Sequence, residues 1–198
     1  EMEPGTGYAD AVYRLLGGPR VASVPTPPPP ARVPPQMPRA ERADIERGRE
    51  YLRSRGISDQ TIAEAERQGM LAYAPGGVLF VGRDEKGRAQ NVTRRATNPA
   101  DAVQKRDLRG SDKSYAPILR GQSREVWAVE GGADALALWD LMRRAGKALP
   151  TVLVTGGAHV VSWISRHAEL LRSAARVVIA HDRERGAERQ ARADAGHA

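Results

Sequence analysis

The 198-residue chain contains no cysteine. That excludes disulfides, thiolate-bound zinc and a cysteine nucleophile, and it fits a reducing compartment. No apolar run approaches the roughly 18 residues needed to span a bilayer. The first residues, Glu1-Met2-Glu3-Pro4, lack the basic and apolar regions of a signal peptide. A soluble cytoplasmic protein with no membrane partner is the expectation. No Gly-x-x-x-x-Gly-Lys-Ser/Thr occurs, so an ATP-driven motor within the chain is not expected, and a Gly-x-Gly-x-x-Gly dinucleotide loop is also absent. Ser162 and Ser165 have no base and orienting group that sequence can assign to them.

What the chain does have is charge of one sign. The net charge is +7 and the pI about 10.2, which points to an anionic partner, nucleic acid first. The excess is local: residues 83–124 hold eleven Lys/Arg against five Asp/Glu, so nearly the whole surplus sits in one segment.

Residues 8–16 predict one short helix stopped by Gly17-Gly18. Residues 24–38 contain eight prolines and predict an extended spacer that makes few core contacts. From Arg39 a helix carries Ile45, Arg49 and Leu52 on one stripe. After Gly56, Ser58 caps a second helix that ends at Gly69. Residues 76–83 and 88–95 predict a β-hairpin around Asp84-Glu85-Lys86-Gly87. Residues 97–113 read as a long basic loop. Beyond Arg124 the pattern is β-α-β-α-β-α: strands at 126–129, 151–155 and 175–180, helices at 133–146, 158–173 and 184–195. Such alternation predicts a parallel sheet with helices on its faces and a site at the carboxyl ends of its strands. The four domains expected are a helical remnant at 1–20, a proline-rich linker at 21–40, a small α+β subdomain at 41–121 and an α/β domain at 122–198. Trp127, Trp139 and Trp163 read as core, His167 and His197 as surface, and His159 and His181 lie near strand ends.

The strand ends carry acids. The first strand runs into Glu130-Gly131-Gly132-Ala133-Asp134, the second into Gly156-Gly157, the third into His181-Asp182-Arg183-Glu184. In an extended segment Asp182 and Glu184 face the same way. Three acids at one sheet edge repel unless a cation intervenes. Hard oxygen ligands suit Mg²⁺ or Mn²⁺, ions that serve phosphoryl transfer.

The order strand-Glu-Gly-x-x-Asp, strand-Gly, strand-Asp-x-acid resembles the Toprim domain of bacterial primases and topoisomerases. Upstream, YLRSRGISDQTIAEAERQGMLAYAP, VLFVGRDEKGR and RGSDKSYAP resemble, in order, segments of the bacterial-type primase core, and residues 8–18 resemble the tail of its zinc-binding module. The likeness covers roughly residues 41–195 and is nearest to compact primase-like proteins of plasmids and mobile elements. It implies an α/β Toprim-like sheet and primase-like nucleotidyl transfer on single-stranded DNA, with nucleoside triphosphates as substrates and a helicase or relaxase as a further partner. It also implies roles: Glu130 as general base or acid and metal ligand, Asp182 and Glu184 as the metal-binding pair, Asp134 as a supporting acid. Arg83, Arg94, Arg95, Lys105, Arg109 and Lys113 would touch nucleic acid or nucleotide, lining a basic surface that faces the acids. The chain departs from the family in having Glu184 where Asp is usual, in Gly186 coming early, and in ending before the last Toprim strand and helix. It therefore reads as a piece of a longer protein. Two rival readings use the same residues: a Toprim nuclease, and a non-catalytic single-stranded DNA-binding module.

Overall fold

The computed structural model describes residues 32–157 and 160–181. The helices expected at 8–16 and 184–195, most of the proline spacer, His159, His197, Asp182 and Glu184 lie outside the described residues.

The first helix, α1 (Arg42–Ser54), starts where the Asp44 carboxylate accepts the Glu41 N–H at 3.0 Å, half of a capping box. It stops at Gly56, which turns the chain with φ 80°, and the Ile57 N–H returns to the Leu52 carbonyl at 3.2 Å. Ser58 then caps α2 (Asp59–Arg67), accepting the Thr61 N–H at 3.4 Å. Arg49 does not join the apolar stripe. It forks onto the Glu66 carboxylate at 2.9 and 2.8 Å and pins α1 to α2.

These helices lie on an antiparallel sheet of order β1-β2-β3-β4: Leu71–Ala74, Gly77–Arg83, Ala89–Ala96 and Lys105–Asp107. The expected hairpin is β2–β3. Strand β4 lies within the stretch read as a loop. Its three residues are all exposed and show no apolar alternation, so only the ladder to Thr93, Arg94 and Arg95 defines it.

The second sheet has order β5-β7-β6-β8, with β5 Ile118–Leu119, β6 Glu125–Val129, β7 Thr151–Val154 and β8 Arg176–Ala180. As the β-branched runs imply, β6, β7 and β8 are parallel, while β5 adds an antiparallel edge. Helix α3 (Gly132–Arg144) makes the first crossover. The helix expected at 158–173 is two short ones, α4 (Ser162–Arg166) and α5 (Ala168–Ser173), separated at His167. The break lets Trp163 and Ile164 of one and Leu170 and Leu171 of the other pack on the same core. The architecture is thus mixed α/β.

One hydrophobic cluster draws Leu52, Ile57 and Ile62 together with Leu119, Val129, Leu136 and Trp139. The two sheets therefore share a core. Trp139 and Trp163 are buried, and Trp127 is half-buried. His167 is half-buried too, with its Nε2 enclosed and unpartnered, so it is no surface residue. The described end of the proline segment, residues 32–40, is neither helix nor strand. It is nevertheless fastened to the first sheet. Arg32 donates to the Gln90 side chain at 2.8 Å and to the Gly110 carbonyl, and Pro35 is buried. Among the described residues no helix is long and apolar enough to cross a membrane.

Candidate active-site cleft

Parallel pairing sets Val129 level with Val154 on one side and Ala180 on the other. Glu130, Thr155 and His181 are therefore the next residues along one carboxyl edge. Hydrogen bonds knit that edge: the Gly156 N–H donates to the Glu130 carbonyl at 3.1 Å, and Thr155 Oγ1 lies 3.2 Å from His181 Nε2.

The two glycines after Glu130 serve different neighbours. A Cβ on Gly131 would sit 2.5 Å from Asp134 Oδ2, so the glycine lets that carboxylate fold back over the turn. A Cβ on Gly132 would sit 2.1 Å from the Phe80 ring, so the glycine lets the acid-bearing turn rest on β2 of the other sheet. Phe80 is buried beneath it.

The result is a cleft of about 280 Å³ with Glu130, Gly131 and Asp134 on one wall. Thr93, Arg95 and Lys105 from the first sheet also line it, with Tyr51 and Arg55 from the end of α1. Arg95 and Lys105 are direct cross-strand partners in the β3–β4 ladder. Like charges placed opposite each other repel, and neither makes an ion pair among the described residues. An anion between them would relieve that repulsion.

The structure divides the other basic candidates. Lys113 borders the cleft: it pairs with Asp107 at 3.1 Å, and its methylenes lie beside Gly156. Arg94 points to the opposite face of β3, as strand alternation requires. There it donates to the Gly76 carbonyl at 2.7 Å and lines a separate groove with Arg106 and Arg109. Arg83 is spent on the Gly69 and Gly87 carbonyls, each at 2.9 Å, and lines another cleft, between the β2–β3 turn and the α4–α5 break. Among the described residues no group of three or more His, Asp or Glu could hold a metal ion. Glu130 and Asp134 contribute two carboxylates to the cleft.

No protein-family model and no curated protein matches the chain. Several solved structures are similar to it. The DnaG primase catalytic domain bound to ssDNA is 20% identical over 70% of this chain and 54% of that one, with a TM-score of 0.46. The E. coli primase catalytic core is 18% identical over 73% and 58%, with a TM-score of 0.45. The primase fragment of the bacteriophage T7 primase-helicase protein is 16% identical over 81% and 63%, with a TM-score of 0.48. The chain thus spans between half and two thirds of the length of these structures.

Sequence reasoning missed Tyr51, Arg55 and Thr93 as cleft residues. Thr93 had a usable signal, because it stands two residues before Arg95 on one strand and so shares its face. Tyr51 and Arg55 had none, since only tertiary packing carries the end of α1 to the sheet edge.

Proposed function

We propose that the chain is the catalytic part of a primase-like, metal-dependent nucleotidyltransferase. It would join nucleotides on a single-stranded DNA template during replication or transfer of a plasmid or mobile element, alongside a helicase or relaxase. The observation that carries this reading is one cleft holding Glu130 and Asp134 together with the cross-strand cations Arg95 and Lys105. Arg95 and Lys105 hold the phosphates of the incoming nucleoside triphosphate, and Lys113 borders them. Glu130 takes the proton of the primer 3′-hydroxyl as its oxygen bonds to the α-phosphorus and pyrophosphate leaves. Glu130 and Asp134 bring two hard carboxylate ligands to one cleft, part of the oxygen set that Mg²⁺ or Mn²⁺ takes. Asp182 and Glu184 are assigned to the same ion. Such an ion, when bound, neutralises phosphate charge.

Template-directed incorporation of labelled nucleotides tests the reading. Glu130→Gln should lower incorporation at least ~100-fold, the scale of general acid–base catalysis, with single-strand binding kept. Replacing Arg95 and Lys105 together by Ala should weaken nucleotide binding and turnover alike. Unchanged incorporation by Glu130→Gln would remove the catalytic assignment. Metal-dependent nicking without incorporation would make the chain a nuclease, and strand binding without either would make it a binding module.

A further inference from the structure

A second basic cleft lies outside the site just described. It opens between the β2–β3 turn, the start of β5 and the α4–α5 break, with a volume of about 740 Å³. Its walls carry Lys86, Arg88, Arg120, Arg166 and Arg172. Arg88 is taken up by Asp84 at 2.8 Å. Arg166 stacks on Tyr115, 3.8 Å from the ring centre, and donates to Ser114 at 3.2 Å. Lys86, Arg120 and Arg172 make no side-chain ion pair or hydrogen bond among the described residues, and all three are exposed. The acids present besides Asp84 are Glu85 and Glu169. His167 lies in the wall, where burial first, then Arg166 and Arg120, push its pKa down to about 4.

The two clefts are joined by one short run of chain. Lys113 borders the acid cleft beside Gly156, Ser114 holds Arg166, and Tyr115 lines the second cleft. Lys113 and Ser114 are the central residues of a turn closed by the Tyr115 N–H on the Asp112 carbonyl at 3.0 Å, so the two clefts are one turn apart. A Cβ on Gly82 would sit 1.8 Å from the Tyr115 carbonyl oxygen, so this run lies directly on β2.

We propose that the second cleft continues the path of the nucleic-acid strand: past Lys113, the phosphates of the same single strand settle among Lys86, Arg120 and Arg172. A concave wall with three uncommitted cations fits a phosphate chain, which binds by charge and counterion release without reading sequence. The inference rests on the nucleic-acid half of the proposed function and not on its chemistry.

The experiment is oligonucleotide binding by the full chain, without nucleotide or divalent ion. One labelled strand of about three nucleotides fits a single cleft, and one of about twelve can occupy both. Replacing Lys86, Arg120 and Arg172 by Ala should weaken the longer strand at least ~10-fold and reduce its salt slope by about 2, at about 0.7 per lost contact. The shorter strand should change less than ~2-fold. Should the triple variant fail to fold by circular dichroism, Lys86→Ala and Arg172→Ala singly should each lower the slope by about 0.7. An unchanged longer-strand affinity or an equal loss for both lengths would each overturn the proposal. No turnover is measured, so a failed Glu130→Gln experiment leaves this test intact.

Discussion

His167 shows how one residue sets a pH limit. Its ring is half-buried beside Arg166 and Arg120, and its pKa is held at about 4, well below the usual value near 6.5. The folded protein therefore keeps the ring neutral where the unfolded chain binds a proton. By linkage, this contribution is whole above pH 6.5 and is lost as pH falls toward 4. Denaturant unfolding at pH 7 and pH 5 should show stability falling by about 1–3 kcal/mol at the lower pH. His167→Leu should flatten that difference, and a difference equal to wild type would locate the titrating group elsewhere. Arg94 and Arg95 make a second point at this scale. Adjacent in sequence and equal in charge, they face opposite sides of one strand, so the charge excess counted over residues 83–124 is shared among separate surfaces.

At the scale of elements, the Glu130–Asp134 turn is shaped by its neighbours as much as by its own sequence. Gly132→Ala would drive a methyl into the buried Phe80 ring. Overpacking of this kind costs about 1–3 kcal/mol, which a lowered melting temperature should register. Pairing Gly132→Ala with Phe80→Leu should recover part of the loss. The elements legible in the sequence were those with a strong period or a strong stop. The β-branched runs at 126–129, 151–154 and 176–180, the Ser58 cap and the Gly56 turn all appear where the pattern put them. Strands β1, β4 and β5 were not legible, because they are two to four residues long and owe their form to a ladder partner. Glu130 stood out because a carboxylate follows a buried strand directly. Arg95 and Lys105 were named among six basic candidates, but nothing in the sequence set them apart from Arg83, Arg94 and Arg109, because cross-strand register alone sets Lys105 opposite Arg95.

Across the whole molecule, the halves are bolted together by a buried acid. Asp140 of α3 is 3% exposed and accepts from Thr61 at 2.7 Å and from Ser58, at the start of α2. Burial works against the charge, but hydrogen bonds from Ser58 and Thr61 hold the pKa below the ordinary carboxylate value. Arg144 of the same helix reaches both Asp140 and the Gly56 carbonyl. Because core and bolt are shared, calorimetry should show one melting transition for the described body. Asp140→Ala should shift all of it downward, by about 1–3 kcal/mol, the cost of leaving the Ser58 and Thr61 donors without their acceptor, since Arg144 is itself exposed. Two separate transitions would mean that the halves fold independently. The contact of Phe80 with Gly132 has a mechanical consequence for the cleft. The acid wall rests on a strand of the sheet that carries Arg95 and Lys105, and the packed ring works as a shim between the two jaws. Their spacing is therefore fixed by atomic volume and not by the attraction of opposite charges, so added salt should screen the charges on the two walls without opening the jaws.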